Sequence, residues 1–316
     1  MCSSDLAVGI IGGVAHGLMA SKDVAAEGLS SHCEVAQRFA ERLGFGESVR
    51  RNLGQLYERW DGRGLPNGLK GEAIAPAVRI VSFAQDVIVL RAAFGAREAD
   101  AKLEARSGGA YEPRLVERFL RRADELMESL ATVTLEDVLA MEPDPRALTD
   151  DEFNEACLAM GDFGDLKTPW SAGHSRAVAA LAREAARRAG LPAADACDLF
   201  RAGLLHDIGQ CGVPARIWLK PGAFNDSERE QARLHAYYGE RVLARPAALA
   251  RLGAIVAQHH ERCDGSGYHR GARGAALSAQ GKILAAAEAY QNRIETRPHR
   301  AALSAQAAAD ALRREA

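Results

Sequence analysis

His259-His260-Glu261-Arg262-Cys263-Asp264-Gly265-Ser266-Gly267-Tyr268 is the stretch from which the rest of this 316-residue chain can be read. Two adjacent histidines close an apolar, helix-like run from Leu252 to Ala257 and lead into an acidic, glycine-rich turn. Upstream lies His206-Asp207-Ile208-Gly209, with single histidines at His174 and His235. A buried imidazole needs a partner for each ring nitrogen, so this gathering of histidines around a carboxylate points to metal ligation.

Moving 203 positions upstream from this stretch reaches Tyr57-Glu58-Arg59-Trp60-Asp61-Gly62-Arg63-Gly64-Leu65-Pro66. Without a gap, Glu261/Glu58, Arg262/Arg59, Asp264/Asp61, Gly265/Gly62, Gly267/Gly64, Gly271/Gly68 and Gly274/Gly71 are identical. The same offset carries His235 onto His32 and Lys282-Ile283 onto Arg79-Ile80, so the chain holds a duplicated domain. The copies part where chemistry belongs: His259 and His260 become Leu56 and Tyr57, and Glu288 becomes Gln85. Each change removes an atom able to bind a cation while the turn glycines stay, so the first copy is expected to be a structural or regulatory half. His174 maps before Met1, and His206-Asp207 maps onto Ser3-Ser4, so the first copy is expected to be truncated at its start. Gly108 to Pro113 map onto 311–316, which suggests trimming at the other end too.

Alanine, leucine, arginine and glutamate abound while aromatics make up 6%, which favours helix over sheet. No segment sustains period-2 alternation, and the expected fold class is all-α. A net charge of −2 offers no global attraction to nucleic acid or anionic lipid, so phosphate recognition must be local. Six scattered cysteines without a CxxC pair indicate neither a thiolate zinc site nor a disulfide framework, and suit a cytoplasmic protein. The apolar run Leu6 to Ala20 is too short to span a bilayer and contains His16. Met1 to Leu6 reads as part of no element and resembles an assembly scar; Gly9 to Gly13 is too loose for a phosphate loop.

The organisation expected is a degenerate copy in 1–130, a helical connector in 131–165 and a complete copy in 166–316. Pro113 to Leu130 reads as one helix, Pro143-Asp144-Pro145 as a loop, and Thr149 to Glu152 as a capping box opening the next helix. Helices follow over His174–Arg188, from Pro192 to His206-Asp207, from a Ser227/Glu230 capping box through His235, over Pro246–His260 and over Leu277–Ile294. His16, His32 and His299 are expected to be surface or satisfied core residues. Asp264 and the glycines are read as turn formers, and Glu261 as an outer partner of a histidine.

Neighbouring side chains on a helix diverge by about 100°, so His206 and Asp207 suit bridging two cations better than chelating one. Imidazole with carboxylate suits iron, manganese or zinc rather than calcium. Two such cations can clamp the attacking and leaving oxygens of an in-line phosphoryl displacement.

The ordered set resembles the HD-GYP branch of the HD-domain metal phosphohydrolases: a leading histidine, HD followed by IG, a solitary histidine, HHExxDGxGY, and an acidic residue after alanine on the last helix. The match covers about 166–300, with a decayed copy in 32–90. The resemblance implies a helical domain with a binuclear, sometimes trinuclear, iron or manganese centre that hydrolyses cyclic dinucleotides, typically cyclic di-GMP; zinc, nickel or magnesium are alternatives. It implies that His174, His206, Asp207 and Glu288 hold one metal, and that Asp207 bridges to a second held by His235, His259 and His260, with His206 and Asp207 central to catalysis. The tandem layout also resembles regulators ending in a LuxR-type helix-turn-helix, a segment this sequence lacks.

Four positions depart from the pattern. Glu288 replaces an aspartate, Gln210 a lysine, and His269 the proline of GYP; Trp170 stands where a third-metal site would carry glutamate, which favours two metals. Lys282, Arg297 and Arg300 are candidates to supply the charge lost at Gln210. Three readings stay open: a phosphodiesterase, a non-catalytic nucleotide- or metal-sensing module, and a hydrolase of another phosphate ester. No nucleic acid or membrane contact is expected of this chain, and a homodimer is compatible with the sequence.

Overall fold

The computed structural model of the protein describes residues 22–142, 147–297 and 300–315. The readings made for Met1 to Ala20, Pro143-Asp144-Pro145 and His299 lie outside the described residues. Every regular element among the described residues is helical, and the all-α expectation holds. No helix among them is long and apolar enough to cross a membrane.

The chain divides into two compact units, Met1–Ala147 and Leu148–Ala316. The first holds α1 (Lys22–Arg42), α2 (Glu47–Leu53), α3 (Pro76–Phe94), α4 (Ala96–Ala105), α5 (Pro113–Leu120), α6 (Ala123–Leu130) and α7 (Leu135–Ala140). Its core gathers Val87, Leu90 and Leu103 with Phe83, whose ring meets Tyr111 and Phe119 edge to face at 5.2 and 5.5 Å. The single helix expected over Pro113–Leu130 is two, because Arg122 leaves helical dihedrals at φ −135° and ψ 24°.

The second unit runs α8 (Asp150–Asp165), α9 (His174–Arg188), α10 (Ala193–Leu205), α11 (Ala215–Trp218), α12 (Asp226–Leu243), α13 (Ala247–Val256), α14 (Ala279–Ile294) and α15 (Ala305–Glu315). Part of the expected connector therefore belongs here: α8 brings Phe153, Cys157 and Met160 to the core of Val178, Leu199, Leu205, Leu252 and Leu284. Its Thr149/Glu152 capping box is formed as read. The cap of α12 is not Ser227/Glu230 but Asn225/Glu228, two residues earlier, where Asn225 has the extended dihedrals a capping residue needs. The helix expected to reach His260 ends at Val256, leaving both histidines in the turn that follows.

Two glycines set how closely the histidine-bearing helices approach. A Cβ on Gly203 of α10 would lie 2.5 Å from the Ala179 Cα of α9, so those helices touch backbone to backbone. A Cβ on Gly209, in the 3₁₀ turn Ile208–Gly212, would lie 2.0 Å from the His235 carbonyl oxygen of α12. The glycine after His206-Asp207 thus lets that turn press against the helix carrying His235.

Candidate metal centre

His174 opens α9, His206 caps the C-terminus of α10, and Asp207 is the next residue. His235 lies within α12, while His259 and His260 follow α13. Glu288 projects from α14. All of them except His260 and Asp207 are almost fully buried, with His206 and His259 wholly so.

The two oxygens of Asp207 face different partners. Oδ2 lies 3.4 Å from His206 Nε2 and 3.9 Å from His174 Nε2. Oδ1 lies 3.4 Å from His235 Nε2 and 3.9 Å from His259 Nε2. Glu288 Oε2 completes the first group, 2.9 Å from His174 Nε2 and 3.3 Å from His206 Nε2. The second group, Asp207, His235, His259 and His260, brings one ligand atom from each residue within 4.8 Å of the others. His174, His206 and Asp207 do the same.

Hydrogen bonds aim the rings. His206, His235 and His259 donate from Nδ1 to the carbonyls of Gly203, Ala232 and Val256 at 2.7, 2.6 and 2.6 Å. A carbonyl only accepts, so Nδ1 carries the proton, and in the neutral ring Nε2 presents a lone pair. His235 Nε2 and His259 Nε2 nonetheless lie 3.1 Å apart. Two lone pairs at that distance repel, and a cation between them converts the repulsion into ligation. His206 Nε2 and Glu288 Oε2 are buried and face only other members of the cluster, as atoms able to hold a cation would. The donor set fits a metal of the iron, manganese or zinc type.

Electrostatics tell the same story. Burial disfavours charge on Asp207 and Glu288, yet the neighbouring histidines hold both carboxyls well below their ordinary range. Burial likewise opposes the imidazolium of His174, but the Glu288 and Glu295 carboxylates override it and raise the group to about 10. His259 goes the other way, down to about 3, through burial and the like charge of His235 and His206. Buried carboxylates held ionised by neighbouring positive charge suit a site for cations.

The group opens into a cavity of about 380 Å³. Arg297 and Arg300 line it, whereas Lys282 does not. Lys282 precedes Glu288 by six residues, a rotation of about 240° on an α-helix, and it faces a separate cavity beside Leu312 and Arg313. Sequence reasoning missed Lys220, Arg229 and Arg233, which also line the histidine cavity. Arg229, Ala232 and Arg233 share a face at i, i+3, i+4 spacing, a signal that was present in the sequence. Trp218 and Phe224 line it too, with Trp218 edge-on to His235 at 5.8 Å. Tyr268 stacks on His260 at 4.6 Å, and Trp170 forms another part of the wall.

Glu261 corrects another expectation. It partners no histidine: its Oε1 accepts from the Arg270 amide at 2.8 Å, across its own turn. His32 is exposed on α1, as expected of a surface residue.

A helical unit with a buried histidine–carboxylate cluster at the end of packed helices, able to hold a metal ion, is the arrangement of the HD class. The HD-domain family model matches residues 20–115 and 160–316, and the chain belongs to that family. The double match also reflects the internal duplication. A 3'3'-cGAMP-specific phosphodiesterase 3 of Vibrio cholerae is 34% identical over 286 residues, covering 89% of this chain and 62% of that protein. A cyclic di-GMP phosphodiesterase of Thermotoga maritima is 34% identical over 151 residues, covering 47% of this chain and 40% of that protein. The crystal structure of a cyclic GMP-AMP-specific phosphodiesterase from V. cholerae aligns with a TM-score of 0.67 at 30% identity, covering 95% of this chain and 70% of that one. This chain thus spans less than two thirds of the length of either curated relative. None of these matches carries the likeness to a LuxR-type helix-turn-helix.

Proposed function

We propose that the second unit is a phosphodiesterase that hydrolyses a cyclic dinucleotide at a binuclear metal centre. The observation that carries this reading is the division of Asp207, whose oxygens face two separate sets of imidazole nitrogens. His174, His206, Asp207 and Glu288 would hold one ion, and Asp207 with His235, His259 and His260 a second; iron or manganese suits these donors best. Bound there, two such ions supply Lewis-acid charge that polarises a phosphodiester and stabilises the negative charge developed during in-line displacement.

The chain's own residues supply recognition. Lys220, Arg229, Arg233, Arg297 and Arg300 bring positive charge to the cavity wall, where a net charge of −2 offers none globally. Arg297 and Arg300 are the proposed phosphate contacts. Trp170, Trp218 and Phe224 offer aromatic surface for nucleobases. Relatives named for 3'3'-cGAMP and for cyclic di-GMP support the substrate class. Gln210, in the cavity wall where the family pattern has lysine, favours the second reading, a module that binds a nucleotide without cleaving it.

The test is to incubate metal-loaded protein with 3'3'-cGAMP, with cyclic di-GMP and with bis(p-nitrophenyl) phosphate, beside Asp207→Ala. Turnover of at least one cyclic dinucleotide is expected, falling on the order of a thousandfold or more in the variant. Full metal content with no turnover of any of the three would remove the catalytic reading and leave the binding module.

A further inference from the structure

Four of the five clustered histidines have a defined Nδ1 partner, and one of the four is unlike the rest. His206, His235 and His259 each use the carbonyl three residues earlier in the chain. His174 is the first residue of α9, so no turn of its own helix precedes it, and the Ser171 carbonyl already accepts the His174 backbone amide. Its Nδ1 is instead met by a carboxylate 121 residues away, Glu295 Oε2 at 2.9 Å, just past the end of α14.

Glu295 is itself held. Gln291 donates to its Oε1 at 2.7 Å, and the Arg297 guanidinium donates to its Oε2 at 2.8 Å. Arg297 also donates from Nε to Asn292 Oδ1 at 3.2 Å, while Asn292 Nδ2 donates to Glu288 Oε1 at 2.8 Å. The two α14-side anchors of the first ligand group, Glu288 and Glu295, are thereby tied to one arginine on the cavity wall.

We propose that Glu295 is a positioning residue for the metal held by His174, fixing the ring with Nδ1 protonated and Nε2 aimed at the ion. This rests on the proposed metal centre. An anionic partner on the far nitrogen also raises the donor strength of Nε2 more than a carbonyl does, so the first ligand group should lose affinity selectively when the carboxylate is removed.

Calorimetric titration of metal-free protein with manganese(II) tests this without relying on activity. Wild-type protein is expected to show two binding events. In Glu295→Gln, which keeps an acceptor oxygen but not the charge, one event should weaken roughly tenfold, and in Glu295→Ala up to about a hundredfold, with the other event unchanged. A role confined to general packing would weaken both events together, and the melting temperature of the metal-free variants monitors that directly. Wild-type-like affinity at both sites in a folded Glu295→Gln, or equal loss at both, overturns the proposal. If wild-type protein takes up no manganese while remaining folded, the metal reading itself falls, and this inference with it.

Discussion

Glu58 and Glu261 stand in the same place in two copies of one turn, and each turns its carboxylate to the backbone amide nine residues on. Glu58 accepts from Asn67 and Glu261 from Arg270, both at 2.8 Å. Asp61 and Asp264 each accept from the amide two residues ahead, at 3.0 and 2.9 Å. Gly62 and Gly265 share a left-handed φ of 78° and 84°. The turns differ in what precedes them: Leu56-Tyr57 in one copy, His259-His260 in the other. One piece of backbone architecture thus survives with and without the histidine pair proposed to bind metal. The turn belongs to the fold, and the histidine pair to the proposed chemistry.

Exchanging those side chains breaks the comparison most severely. In His259→Leu combined with His260→Tyr, the second unit takes the first unit's residues at these two places. One of the two metal-binding events should vanish and turnover should fall on the order of a thousandfold, while helicity by circular dichroism stays near wild type. Retained binding of two ions, measured by elemental analysis, would show that the pair is not ligand.

The next largest effect falls on both turns alike. A Cβ on Gly64 would lie 2.3 Å from the Arg59 amide nitrogen, and one on Gly267 2.5 Å from the Arg262 amide nitrogen. Backbone cannot yield as a flexible side chain can, so Gly64→Ala and Gly267→Ala should each cost roughly 1–3 kcal/mol or more, read by urea denaturation of the unit concerned. Metal uptake should suffer only in Gly267→Ala. A neutral outcome at either glycine would mean the two turns are not equivalent.

A smaller effect follows alkaline pH. Tyr111, in the core of the first unit, is pushed up to about 12 by burial and by its hydrogen bond to Asp86. An acid with a raised folded pKa stabilises below its unfolded value near 10, and that contribution is lost as pH climbs from about 10 to 12. The first unit should therefore lose up to roughly 2 kcal/mol over that interval. Tyr268 of the second unit is raised as well, by burial and by the nearby Asp207 and Glu288 charges, so Tyr111→Phe should flatten the first unit's step and leave the second unit's alkaline limb in place. An unchanged pH profile in the phenylalanine variant would count against the assignment.

Much of the cluster was legible because imidazoles and carboxylates are costly to bury without partners. His174, His206, Asp207, His235, His259, His260 and Glu288 stand out by residue type and order, and the decayed copy separates turn from ligand. Lys282 misled because charge in the right stretch of sequence says nothing about helix face until Glu288 fixes which side of α14 looks into the cavity. Glu261 misled because a carboxylate beside two histidines can turn equally well to backbone amides.

The sequence by itself determined the helical class, the duplication, the turn and the list of residues able to bind a cation, since each follows from local pattern and residue chemistry. Only the tertiary structure decided how those residues divide around the two oxygens of Asp207. It alone placed Lys220, Arg229 and Arg233 on the cavity wall, and it alone brought Glu295 to His174 across 121 residues. Contacts of that kind depend on how closely helices approach and how they are rotated. Here that is set by packing at Gly203 and Gly209, which no local pattern encodes.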